Sequence, residues 1–213
     1  MAKKYAIKEA FYTLQGEGYH TGRPAVFLRF SGCNLWSGLE KDRSTAICKF
    51  CDTNFWGTDG KNGGKYTLDN LIEKLIALWP KGKKTQHKFI VCTGGEPMLQ
   101  LDADLIEALH HNGFEVAVET NGTIEVPVEI DWICVSPKAG SDIIQHWGDE
   151  LKLVHPQSNA NPEDFENWEF EHFFLQPMDG PETEENTRIC LDYCLENPLW
   201  KLSLQIHKIL NIP

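Results

Sequence analysis

No apolar stretch in the 213 residues is long enough to cross a bilayer, and Met1-Ala2-Lys3-Lys4 leads into a short alternating segment that does not read as a signal sequence. A soluble, cytoplasmic protein with no membrane partner is expected. Basic residues are few: 20 lysines and arginines stand against 31 aspartates and glutamates, for a net charge of -11, and no basic cluster forms. Nucleic acid demands a basic surface, so a small-molecule substrate suits this chain better. Repeats, linkers and low-complexity runs are absent, and Gly57 to Gly64 and Asn159 to Asn161 read as ordinary loops. The seven cysteines are an odd number with three in ligand spacing, which argues against a disulfide framework and for a reducing compartment. The length predicts one domain over residues 1–213, large enough for a full core.

What is present centres on Cys33, Cys48 and Cys51: a Cys-x-x-Cys pair with a third thiol upstream across a gap of fourteen residues. Three thiolates on one loop can hold three corners of a 4Fe-4S cluster and leave one iron open to an exogenous ligand. With His20 as a fourth ligand they equally suit a structural zinc ion, and spacing alone leaves both open. The loop spans about residues 31–57, longer than most structureless connections. Trp36 and Trp56 are expected to anchor it by packing. Cys92-Thr93-Gly94-Gly95-Glu96-Pro97 follows an apolar run and precedes a helical pattern, so its two glycines sit where backbone can approach a ligand closely.

Tyr5–Phe11 and Pro24–Phe30 read as strands around the glycine-studded Leu14 to Gly22, and Lys88–Thr93, Glu115–Glu119, Trp132–Ser136, Leu151–Val154, His172–Gln176 and Leu202–Gln205 as further apolar runs. Helical spacing follows Thr67 as N-cap and ends at Pro80; Asp102 caps a helix that Gly113 closes; a third helix with an acidic first turn covers Glu182–Leu195. Alternating strands and helices imply a parallel α/β sheet, and six or seven strands with about four helices are too few for a complete eightfold barrel. Arg29, Thr93, Glu119, Asn121, Ser136 and Gln176 would lie at the carboxyl ends of strands, where such folds gather ligands. Cys92, Cys134, Cys190 and Cys194 read as buried thiols, and His20, His87, His110 and His111 as solvated or capping residues. Asp52-Thr53 offers hard oxygens suited to magnesium, or a simple turn.

Taken together, these stretches resemble the radical S-adenosylmethionine enzymes, although most members space their cysteines C-x3-C-x2-C. Within that superfamily the chain is similar throughout to the 7-carboxy-7-deazaguanine synthases. Leu14 to Gly18, Gly22 to Phe27, Gly32 to Gly38, Phe50 to Thr53, Glu119 to Gly122, Ser136 to Lys138, Gln176 to Gly180 and His207 to Pro213 carry the likeness.

The resemblance implies an open, partial (β/α) barrel. It implies a 4Fe-4S cluster on Cys33, Cys48 and Cys51, and magnesium at Thr53 with Asp52 a weaker second. S-adenosylmethionine would lie along Phe50, Cys51, Asp52, Gly95, Glu96, Ser136, Pro137, Lys138, Gln176, Pro177, Met178 and Asp179, with Gly95 and Glu96 meeting its ammonium. The substrate implied is 6-carboxy-5,6,7,8-tetrahydropterin, held by Leu14, Gln15, Gly16, Glu17, Arg29, Thr93, Glu119, Asn121, His207 and the carboxylate of Pro213, with Ile209, Leu210 and Ile212 docking that end of the chain. Homodimers and a flavodoxin-type electron donor complete the implied picture. Other readings are a glycyl-radical-enzyme activase, against which Leu14 to Gly18 and the Asn211-Ile212-Pro213 ending argue, and a zinc-stabilised binding module.

Overall fold

The computed structural model describes residues 3–82 and 87–213. Nine strands form one sheet in the order β3-β1-β2-β4-β5-β6-β7-β8-β9. These are β1 (Tyr5–Leu14), β2 (Pro24–Phe30), β3 (Gly64–Tyr66), β4 (Lys88–Gly94), β5 (Phe114–Thr120), β6 (Trp132–Val135), β7 (Trp147–His155), β8 (Glu169–Pro177) and β9 (Trp200–Leu202). The hairpin β1–β2 and the pair β1–β3 are antiparallel, whereas every pairing from β2 through β9 is parallel. β3 and β9 lie at opposite ends of the order, so the sheet is the expected open, mostly parallel α/β array with few helices.

Period-two alternation divides each strand between two faces. On the outer face Val116, Val118, Leu151 and Leu153 are buried in the main core against α1 (Leu68–Leu78), α2 (Ala103–His111) and α3 (Thr183–Glu196). Leu71, Ile72, Leu75, Leu105, Ile106, Leu109 and Cys190 are the helical contribution to that core. The inner face instead carries Ala25, Phe89, Val91 and Ala117 as a small apolar cluster.

Local chemistry sets the helix ends. The Asp102 carboxylate accepts the Leu105 N–H at 3.1 Å and the Tyr5 hydroxyl at 2.8 Å, which fixes the start of α2 against β1. Thr67 occupies the N-cap position of α1 but makes no side-chain cap bond, a departure from expectation. Pro80 ends α1 by forcing Trp79 into extended backbone.

Three departures concern short elements. β3 begins at the end of a stretch read as loop, β9 ends where a strand over Leu202–Gln205 was expected to begin, and α4 (Ile206–Leu210) follows it. A three-residue strand has no periodicity to detect. The long loop is ordered by its own contacts: Trp36 meets Phe55 edge-on at 5.4 Å, and Arg43 lies 4.0 Å over Trp36 while donating to the carbonyls of Lys49 and Cys51. Trp56 was expected to share that packing but is 53% exposed, because Phe55 fills the inward position. Cys92, Cys134 and Cys190 are buried; Cys194 is only half-buried, since it lies one helical turn beyond Cys190, towards the open end of α3.

Candidate active site

A cavity of about 350 Å³ opens at the carboxyl ends of the parallel strands. Arg29 from β2, Thr93 and Gly94 from β4, Glu119 from β5, Lys152 from β7 and Gln176 from β8 reach it, and Ser136 and Lys138 enter just past β6. The long loop forms one wall with Cys33, Cys48, Phe50, Cys51, Asp52 and Thr53; Leu14 to Glu17, His207 and Pro213 form another. All sequence-predicted site residues therefore meet in one cavity except Glu96, Pro137 and Met178.

The polar floor is built around Lys152, which is 4% exposed. Its ammonium lies 2.5 Å from Glu17 and 3.4 Å from Glu119. Glu119 also accepts from the Gln15 amide at 3.0 Å and from the Thr93 hydroxyl at 3.2 Å, while Glu17 accepts from Gln205 at 2.9 Å. Burial works against the Glu17 carboxylate, yet the Lys152 charge and these hydrogen bonds bring it down to about 2. Burial likewise opposes the Lys152 ammonium, and Glu119 and Glu17 outweigh it, holding the lysine well above its ordinary value.

Glycine allows the backbone to reach this floor. A Cβ on Gly16 would lie 2.4 Å from Nδ1 of His207, and one on Gly18, which has φ +65, would lie 1.9 Å from a Glu150 oxygen.

The cysteine wall has a similar origin. A Cβ on Gly94 would meet the Phe30 carbonyl at 2.3 Å, and one on Gly95 would stand 2.0 Å from the Gly32 oxygen and 2.8 Å from Cβ of Cys33. The turn after β4 is thus pressed against the start of the cysteine loop. Cys48 is pushed up by giving its hydrogen bond to Cys51 and by burial, and the same bond draws Cys51 down to about 6. Cys33 is raised by burial and accepts the Leu35 N–H at 3.4 Å. Three soft sulfurs on one cavity wall, beside glycine backbone with no room for a side chain, fit a 4Fe-4S cluster with a small ligand beside it.

A single zinc ion does not suit the same residues. Among the described residues no three His, Cys, Asp or Glu side chains converge on one ion position. His20, its fourth ligand in that reading, stands outside the cavity between Phe89 and Trp132, at 4.9 and 4.3 Å. His20 is also not the solvated or capping residue expected; its ring is half-buried and Nε2 has no hydrogen-bond partner among the described residues.

Glu96, expected to meet the ammonium, does not line the cavity. Its side chain is fully buried and accepts from Met98 N–H at 3.0 Å, the Thr120 hydroxyl at 2.7 Å and Asn121 N–H at 2.8 Å. It ties the turn after β4 to the end of β5, and burial raises its pKa. Pro137 and Met178 likewise stand behind the cavity wall, as Pro137 is buried and the Met178 carbonyl is turned to the Asn186 amide of α3.

Elsewhere the expected residues arrive with partners that sequence reasoning missed. Arg29 donates to Glu9 at 2.9 Å; Lys208 bridges Asp52 at 2.6 Å and Asp179 at 2.7 Å; the Thr13 hydroxyl donates to a Pro213 oxygen at 3.0 Å. The Lys208 and Pro213 ties fasten α4 and the residues after it, whereas Ile209 and Leu210, expected to dock that end, are 72% and 54% exposed. Lys152 was missed because its strand reads as an apolar run; the signal was the alternation of Glu150, Lys152 and Val154 against Leu151 and Leu153.

No family model matches the chain. It is 57% identical over 210 residues to the 7-carboxy-7-deazaguanine synthase of Burkholderia multivorans, covering 98% of this chain and 99% of that one. It is 58% identical over 209 residues to that of Bradyrhizobium diazoefficiens, with the same coverage. The crystal structure of QueE from Escherichia coli superimposes with a TM-score of 0.73 at 28% identity, over 95% of this chain and 94% of that one. Neither the activase nor the zinc-module reading is favoured beside such likeness. The chain belongs to the 7-carboxy-7-deazaguanine synthases, lyases of the radical S-adenosylmethionine superfamily acting in queuosine biosynthesis.

Proposed function

We propose that the chain converts 6-carboxy-5,6,7,8-tetrahydropterin to 7-carboxy-7-deazaguanine with loss of ammonia. The observation that carries this reading is one cavity with soft thiols on its wall and paired acceptors on its floor. When bound, a 4Fe-4S cluster and S-adenosylmethionine would supply radical chemistry at C6 of the pterin. Cys33, Cys48 and Cys51 would hold the cluster.

The chain's own residues bind and orient. Glu119, Gln15 and the Pro213 end offer acceptors to the guanidine-like edge of a pterin, and Arg29 and His207 offer donors to its carboxylate. Gly95, Ser136, Lys138, Gln176, Pro177 and Asp179 line the same cavity and suit the cofactor side. Thr53, beside Cys51 and facing the cavity, is the magnesium candidate: a neutral oxygen there leaves the metal's remaining positions to the substrate carboxylate and water. Lys208, by holding Asp52 and Asp179 together, keeps the loop against the end of β8 and narrows the path for water.

No described helix is long and apolar enough to cross a membrane, and a soluble cytoplasmic setting is part of this proposal. Exposed Ile209 and Leu210 offer a surface for a second copy, and a flavodoxin-type protein suits the need for a low-potential electron. The test is anaerobic purification, iron and sulfide analysis, and assay for deazaguanine formation from the carboxypterin. About four irons per chain with turnover supports the reading; a fully iron-loaded protein that leaves the pterin unchanged overturns it.

A further inference from the structure

The cation inside the anionic floor has no role in the reading above. Lys152 rises from the middle of β7 between two carboxylates from distant parts of the chain, Glu17 after β1 and Glu119 on β5. A buried lysine desolvated this fully is retained only where its partners are ionised. Without it, two half-buried carboxylates, 15% and 21% exposed, would share one small space, and one of them would take up a proton. A protonated carboxyl donates where the ionised one accepts, so the floor would change its recognition chemistry.

We propose that Lys152 is a positioning residue that keeps Glu17 and Glu119 both ionised, so that the floor selects a ligand edge made of donors, such as the aminopyrimidinone edge of a pterin. This rests on the pterin reading. The neighbours support a role confined to these two acids. From β7 itself Glu150 faces the same space, but it is engaged by Tyr19 N–H at 3.2 Å and the Trp132 indole N–H at 3.3 Å. From β6 comes the Cys134 thiol, held protonated by burial; beyond β6, Lys138 donates to Ser136; and from α4 His207 adds positive charge on the side of Glu17. Lys152 is the cation within reach of both acids among the described residues.

The experiment measures binding of fluorescent 6-carboxypterin, which keeps the edge, to the cluster-loaded enzyme from about pH 5.5 to 7.5, below ionisation of the pterin amide. Wild type sets the reference profile across this range, against which each variant is read. K152M should bind about 10- to 100-fold more weakly at the acid end and recover as pH rises and the shared proton is lost. K152R, which keeps the charge, should restore the wild-type profile. Iron content and S-adenosylmethionine binding should be unchanged throughout.

Should K152M not fold, K152M/E17Q removes one acid with the cation, leaves no pair to share a proton, and is expected to follow the wild-type profile. A wild-type profile in K152M, or, where only the double variant folds, an added loss of affinity at the acid end, overturns the proposal. Failure of the wild type to bind the pterin at all overturns the pterin reading instead.

Discussion

The two faces of the sheet are made by the same strands and obey opposite rules. On the outer face of β7, Leu151 and Leu153 are fully buried against apolar neighbours, and one residue along on the inner face Glu150 and Lys152 are almost equally buried among charges. Burial alone therefore says little about a residue's role in this molecule. The outer face gains from removing area from water, about 25 cal/mol per Å², whereas the inner face loses hydration and recovers it through partners spaced to a few tenths of an ångström. Stability is concentrated on one side and chemistry on the other, and substitutions should separate the two.

The largest effect is expected at the cavity wall. C48A should lose cluster iron and turnover together while the helix-covered core stays folded, and C190A, on the outer face, should keep its iron; iron analysis with circular dichroism checks both. Full iron in C48A would break the comparison. Next, L105A should lower stability by about 2–5 kcal/mol in urea unfolding through the void it leaves under β4 and β5, with iron per folded chain unaltered.

The faces should also differ in acid. Glu17 is held near 2 when folded against an ordinary 4.5, so its contribution is fully present above about pH 4.5 and fades as pH falls towards 2. Urea midpoints for E17Q should accordingly show less dependence on pH across that window than wild type, while L105A keeps the wild-type dependence. The smallest effect is at Thr53, where T53A should raise the magnesium needed for half-maximal turnover by about tenfold, some 1.4 kcal/mol of one lost oxygen ligand, with iron unchanged. A magnesium titration that overlays wild type removes Thr53 from the metal site.

What the sequence made legible divides along the same line. Long alternations and helical periods identified β2, β4, β5, α1 and α2 nearly to the residue, because one face of each meets a continuous apolar core. The cavity residues were legible where unusual chemistry is crowded into a few positions, as in Cys48 to Thr53 and Leu14 to Glu17. Orientation was not: nothing local distinguishes a Glu96 turned inward to Thr120 and Asn121 from one facing a ligand. Nor was Lys152, whose partners lie 135 and 33 residues away, since a lysine in a strand reads as solvent-facing until the sheet is assembled. The exposure of Trp56 escaped for a related reason, as adjacent aromatics at 55 and 56 cannot both point inward and composition does not choose between them.

The sheet's edges carry one more consequence. β3 and β9 are three residues each, and the middle residue of each, Lys65 and Lys201, is exposed. Beyond β3 the margin of β1 is occupied by the neighbouring loop, where Gly60 N–H donates to the Lys8 carbonyl and Ala10 N–H to that of Lys61. A foreign strand would find little free backbone to pair with and a charge at the centre of each short edge. Amyloid-like growth and domain exchange through the edges are thereby discouraged, and any assembly of copies must be made by side chains meeting across a surface rather than by prolonging the sheet.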